Sequence, residues 1–149
     1  MPECYNLHME IHGIEAMDAE SVRLAGTLVP RTGSATILAL SGDLGAGKTT
    51  FAQGIARSLG VAEQVTSPTF VIEKIYQLEN QKFSRLIHID AYRLNDAHEL
   101  EVLGWKEITA DPANLIVIEW PEKVAGLIPE DAIRLSFRGS GDSREISYF

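Results

Sequence analysis

The sequence has only one cysteine, Cys4, so no internal disulfide can staple it. No Cys/His cluster has zinc-site spacing either, and a reducing compartment fits best. Long apolar runs are missing. The longest, around residues 37–40 and 115–118, fall far short of the roughly 20 residues a membrane helix needs. The start, Met1-Pro2-Glu3-Cys4-Tyr5, lacks the basic and apolar stretches of a secretion signal. These absences predict a soluble, cytoplasmic protein. Positive charge is scarce too: 13 Lys and Arg against 21 Asp and Glu leave a net charge of -8. That argues against a broad phosphate-neutralising footprint on RNA or DNA, although a local basic patch is compatible with an acidic chain. No repeat, linker or low-complexity stretch divides the 149 residues, which read as one domain over residues 1–149.

What is present is an ordered series of short apolar segments. Tyr5, Leu7, Met9 and Ile11 alternate with polar residues, the period of a half-buried strand. Asp18 reads as an N-cap, with Val22, Leu24, Ala25 and Leu28 on a helix ending near Pro30. Residues 35–41 form an apolar strand, and residues 48–59 a helix burying Phe51, Ala52, Ile55, Ala56 and Leu59, with Gly60 as its stop. Residues 70–76 and 83–89 read as strands able to pair as a hairpin, and residues 96–103 as a short helix closed by Gly104. Residues 115–118 are wholly apolar, as in a central parallel strand. Ile133, Leu135 and Phe137, a turn at residues 139–142, then Ile146 and Tyr148 predict a closing antiparallel hairpin. The order predicts an α/β protein: a three-layer, P-loop NTPase-like fold with a mostly parallel central sheet and flanking antiparallel strands. Its ligand belongs outside the C-terminal ends of the parallel strands.

The segment Gly42-Asp43-Leu44-Gly45-Ala46-Gly47-Lys48-Thr49 meets the full phosphate-loop pattern, and Thr50 follows. Glycines at 42, 45 and 47 let the backbone fold back and aim successive N–H groups at one anion. The following helix adds its positive N-terminal end. Lys48 is suited to bridging the β- and γ-phosphates of ATP, and the Thr49 hydroxyl to ligating Mg2+. A chance match in a chain of this length arises about once in a few hundred sequences. Here the match also falls between an apolar strand and an amphipathic helix, the context that such a loop requires.

Such a loop needs a further carboxylate near the metal. Asp90 ends the run Leu86-Ile87-His88-Ile89, and Glu119 ends Leu115-Ile116-Val117-Ile118. Either is placed to hold the metal while the other orients an attacking water, and spacing alone does not divide the roles. A plain solvated acid ending a strand is the competing reading for each. The hydroxyl-rich stretch Thr66-Ser67-Pro68-Thr69-Phe70 reads better as a turn than as a γ-phosphate sensor. His8 and His12 lie on a strand-like alternation rather than at metal spacing on a helix. His88 reads as a packed histidine and Trp105 as core. Trp120 stands apart, because it directly follows a candidate metal acid.

Four segments together resemble the bacterial TsaE (formerly YjeE) family of tRNA threonylcarbamoyladenosine biosynthesis ATPases. They are residues 41–51, Ser67-Pro68-Thr69-Phe70, His88-Ile89-Asp90-Ala91-Tyr92-Arg93-Leu94 and Ile118-Glu119-Trp120-Pro121. The first is common to many P-loop proteins, whereas the combination is specific. The resemblance implies that residues 44–49 wrap the phosphates of ATP, that Thr49 and Glu119 hold Mg2+, that Asp90 serves hydrolysis together with Lys48, and that Trp120 serves activity or coupling. Asp18 falls where the family contacts the adenine side, although Glu or Thr is more usual near there. Ala91 stands where Leu is common. The resemblance further implies support of threonylcarbamoyladenosine formation in tRNAs reading codons that begin with adenine. It implies binding to a heterodimer of the transferase TsaD and its partner TsaB, which ATP hydrolysis resets, while the net charge, not the resemblance, disfavours direct contact with tRNA.

Other classes fare less well. A GTPase would need a guanine-specifying Asn-Lys-x-Asp segment, and there is none. A small-molecule kinase would need paired lid arginines, yet after Arg57 they are scattered at 85, 93, 134, 138 and 144. A nucleotide-gated binding module without catalysis would have no need of Thr49, Asp90 and Glu119 together.

Overall fold

The computed structural model describes residues 7–62 and 72–149, with Ser140 by its backbone only. Cys4, Tyr5 and the stretch from Thr66 to Phe70 lie outside the described residues. Seven strands form one sheet: β1 (Leu7–His12), β2 (Thr36–Gly42), β3 (Glu73–Gln77), β4 (Arg85–Asp90), β5 (Asn114–Glu119), β6 (Ile133–Ser140) and β7 (Ser143–Tyr148). Their order across the sheet is β1-β7-β6-β2-β5-β4-β3. The four central strands, β6, β2, β5 and β4, run parallel. Antiparallel pairs flank them: β3 on β4 at one side, and β7 on β6 with β1 beyond it at the other.

Strand periodicity divides the core between the two faces of this sheet. On one face Leu38, Leu40, Leu86, Leu115, Val117, Leu135 and Phe137 pack with Met17, Leu24, Phe51 and Ile55 from two helices, α1 (Gly13–Thr27) and α2 (Lys48–Ser58). On the other face Ile37, Ala39, Ile87, Ile89, Ile116 and Ile118 pack with Leu100 of α3 (Ala97–Val102), Trp105 of α4 (Trp105–Thr109) and Val124 of a 3-10 helix over Pro121–Leu127. β5 is buried along its whole length, as its unbroken apolar run requires. This is the three-layer arrangement expected, with the hairpins β3–β4 and β6–β7 where the sequence puts them.

One boundary differs by more than a helical turn. Helix α1 begins at Gly13, with His12 as its cap residue, so Asp18 sits inside the helix and caps nothing. Tertiary packing decides this: Met17, in the stretch before Asp18, is buried in the α1–α2 core, and a Cβ on Gly47 would lie 2.8 Å from its Cε. Val22 is half exposed, whereas Leu24, Ala25 and Leu28 are buried. Helices α1 and α2 pack closely at Gly54, where a Cβ would come within 2.0 Å of the buried Ser21 Oγ. Only glycine permits that contact.

Candidate functional site

The turn between β2 and α2 is shaped by its glycines. Gly42 has φ +142 and packs so tightly on β6 that a Cβ would fall 2.4 Å from the Phe137 carbonyl oxygen. Gly47 has φ +112 and hands the chain to α2, whose first turn holds no acidic residue to occupy its positive end. Ala46 N–H donates to the Asp43 carbonyl at 3.1 Å, closing the turn. The Leu44 side chain is 70% exposed at its tip.

Lys48, the first residue of α2, is folded back into this turn. Its ammonium donates to the Gly42 carbonyl and, at 2.8 Å, to the Asp43 carbonyl. It also lies 4.4 Å from the ring centroid of Trp120, a cation–π contact. Burial pulls the Lys48 pKa below the ordinary lysine value, while Glu119, Glu122, Asp43 and Asp90 pull it upward. The ammonium is thus held by carbonyl dipoles and a ring face in a site where an anion would be a better partner.

The two strand-end acids arrive side by side. β4 and β5 pair in parallel with Asp90 opposite Glu119, so both carboxylates lie at the C-terminal ends of central strands. Asp90 is buried, and its Oδ1 accepts the Tyr92 N–H at 2.9 Å, fixing the turn that leaves β4. Glu119 Oε1 accepts from the Thr49 hydroxyl at 2.8 Å, and Glu119 Oε2 lies 2.6 Å from His88 Nε2.

Trp120 adopts the left-handed conformation, φ 60 and ψ 50, which is costly for a bulky residue. Its N–H donates to the Leu40 carbonyl at 3.1 Å, and Pro121 opens the 3-10 helix directly after it. The bend turns the indole over Lys48 and against Tyr92, with ring centroids 4.9 Å apart.

These groups line a cleft of about 250 Å³, bounded by Leu44, Gly45, Gly47, Lys48, Thr49, Thr50, Asp90, Glu119 and Trp120. Tyr92 and Arg144 complete its wall. Gly42, Asp43 and Ala46 shape the turn from behind, two of them through the carbonyls that hold Lys48. Asp18 is not in the wall. It lies on α1 with its carboxylate accepting from the Arg57 guanidinium of α2. Three cleft features escape sequence reasoning. Tyr92 stands only two residues beyond Asp90, and that proximity is a signal. Arg144 comes from β7 through the long-range folding of the closing hairpin, for which no local signal exists. The His88–Glu119 contact spans neighbouring strands and depends on their register. A second groove, about 220 Å³ between the C-terminal ends of α1 and α2 and the β3–β4 connection, is lined largely by apolar residues such as Val22, Leu28, Leu59 and Phe83.

Fold and cleft together define a protein of the three-layer, P-loop NTPase-like class. A profile of the family described as threonylcarbamoyl adenosine biosynthesis protein TsaE matches residues 15–146. The chain belongs to the TsaE family. It is 40% identical over 111 residues to the tRNA threonylcarbamoyladenosine biosynthesis protein TsaE of Borreliella burgdorferi, covering 74% of this chain and 78% of that one. To the protein of the same name from Treponema pallidum it is 37% identical over 124 residues, 82% of this chain and 88% of that one. The crystal structure of YdiB from Bacillus subtilis superposes with a TM-score of 0.72 at 28% identity, covering 95% of this chain and 83% of that chain.

Proposed function

We propose that this protein is a magnesium-dependent ATPase of tRNA threonylcarbamoyladenosine biosynthesis. The observation that carries the reading is the convergence of Lys48, Thr49, Asp90 and Glu119 in one cleft beside a glycine turn. The turn and the N-terminal end of α2 supply N–H groups for the phosphates. Lys48 exchanges its two carbonyl partners for β- and γ-phosphate oxygens, a charge-assisted bond in place of neutral ones.

The donors present fit magnesium. It is a hard cation that takes oxygen ligands, and the Thr49 hydroxyl and Glu119 carboxylate already meet at 2.8 Å. Those two residues would hold it, and when bound it would neutralise charge on the terminal phosphates. Asp90, beside Glu119 and held by the Tyr92 N–H, is placed to orient the water that attacks the γ-phosphate and to accept its proton. Trp120 and Tyr92 close one side of the cleft and limit the access of other water.

Family membership supports the biological setting. The protein acts in the cytoplasm on tRNAs reading codons that begin with adenine, through a heterodimer of the transferase TsaD and its partner TsaB. ATP hydrolysis resets that complex between turnovers. The net charge of -8 supports action on a protein partner rather than direct contact with tRNA. No helix among the described residues is long and apolar enough to cross a membrane. The test is co-elution with the TsaB–TsaD heterodimer on a sizing column with and without ATP, alongside phosphate release. Nucleotide-dependent co-elution with phosphate release supports the reading. Failure to co-elute in every nucleotide state contradicts the partner assignment, and a phosphorylated acceptor in place of free phosphate contradicts the hydrolase.

A further inference from the structure

His88 has no role in the reaction proposed above, yet its ring is the second partner of the acid assigned to the metal. The imidazole and the Glu119 carboxylate are each only 2% exposed, and Nε2 stands 2.6 Å from Oε2. The other carboxylate oxygen, Oε1, is taken by the Thr49 hydroxyl at 2.8 Å. Thr49, Glu119 and His88 therefore form one chain of contacts from the first turn of α2 into the sheet interior.

Register explains how the ring arrives there. His88 pairs with Val117 on the parallel neighbour β5, so Glu119 is its diagonal neighbour two residues on, on the same sheet face. That face is the one covered by α1 and α2, because Leu86, Leu115 and Val117 lie in the core shared with Phe51 and Ile55. A leucine at 88 would fill such a position as naturally as Leu86 fills its own. A buried polar ring costs free energy unless it is bonded, and here its nearest charged partner is a buried carboxylate.

We infer that His88 is a positioning residue for Glu119. By occupying Oε2, the ring fixes the rotation of the carboxylate so that Oε1 faces Thr49 and the cleft. A carboxylate bonded at one oxygen alone can swing about its last torsion and present either oxygen, or neither, to a cation. Partners behind a ligand set its orientation, and their loss typically weakens metal affinity by about 10–100-fold. The inference rests on the proposed reading of Glu119 as a magnesium ligand.

The test is calorimetric titration of the full-length protein with ADP, in EDTA and at a series of magnesium concentrations. It compares wild type with His88→Leu, His88→Gln and Glu119→Gln. A glutamine places its amide nitrogen near the position of Nε2 and keeps a donor to Oε2. In His88→Leu, ADP affinity in EDTA stays at the wild-type value. The magnesium concentration needed for half-maximal enhancement rises about 10–100-fold, and His88→Gln recovers most of the loss. Should the leucine variant fail to fold, His88→Asn replaces it, since its amide stops near the position of Nδ1 and cannot reach Glu119. The same loss is expected there. A lowered melting temperature with unchanged magnesium dependence in the non-bonding variant overturns the inference while leaving the Glu119 reading intact. Wild-type affinity that ignores magnesium, or a Glu119→Gln protein as magnesium-sensitive as wild type, overturns that reading and the inference with it.

Discussion

The Lys48 ammonium stands 4.4 Å from the centre of the Trp120 ring, while its hydrogen bonds run back to the carbonyls of its own turn. The contact joins the first residue of α2, at the glycine turn, to the residue that follows β5. If the cleft binds ADP with magnesium as proposed, the ammonium is expected to move to phosphate and the Trp120 emission to change. Trp105, buried outside the cleft wall with its indole N–H on the Leu127 carbonyl, provides a constant background. Trp120→Phe abolishes the change and Lys48→Ala abolishes its cause. A nucleotide-dependent signal that persists in Trp120→Phe contradicts the assignment.

Asp90→Ala is expected to keep ATP affinity while losing turnover by about 100-fold or more, the scale of a lost proton acceptor. Equilibrium binding and single-turnover phosphate release measure the two separately. A matching loss of magnesium-dependent affinity would move Asp90 from the water to the metal.

Two glycines in helices separate close packing from backbone freedom. Gly54→Ala drives a Cβ to 2.0 Å from Ser21 Oγ and 2.8 Å from Ser21 Cβ, so α1 and α2 must part. Destabilisation of about 1–3 kcal/mol follows. At Gly26 a Cβ meets nothing within 4 Å, so Gly26→Ala stabilises by about 0.4–1 kcal/mol through the unfolded chain. Urea unfolding of both variants checks the opposite signs.

Tyr148 ties β7 to α1 by donating to Glu20 Oε1 at 3.0 Å, while Arg23 binds the same carboxylate. Burial, reinforced by the Glu20 charge, raises the phenol pKa well above its ordinary 10.0. A raised folded-state value means the contribution is complete below pH 10 and declines as pH climbs from there, because the unfolded phenol ionises first. Tyr148→Phe costs about 1 kcal/mol at neutral pH and flattens the alkaline loss of stability. Chemical denaturation between pH 8 and about pH 11 reads both effects. A wild-type slope unchanged by the substitution would contradict the assignment.

Much of this was legible in the sequence because it is local or periodic. β5 announces itself as four consecutive apolar residues, α2 by its inward Phe51, Ala52, Ile55 and Ala56, and the glycine turn between β2 and α2 by residue type and spacing. Other features depend on contacts distant in sequence. Asp18 is a fair N-cap by residue type, but burial of Met17 carries α1 back to Gly13. Helix α4 and the 3-10 helix are too short to show a period, and both are held by packing of Trp105 and Val124 against the sheet. In the cleft, Lys48, Thr49, Asp90 and Glu119 were readable from motif and strand ends. Arg144 and the His88–Glu119 contact were not, since both follow from strand order and register.

The most direct test of the account is a calorimetric titration of the purified protein with ATP and magnesium, repeated on Lys48→Ala. One binding site per chain is expected in the wild type and none in the variant. Absence of binding by the wild type, or equal affinity in the variant, would contradict it.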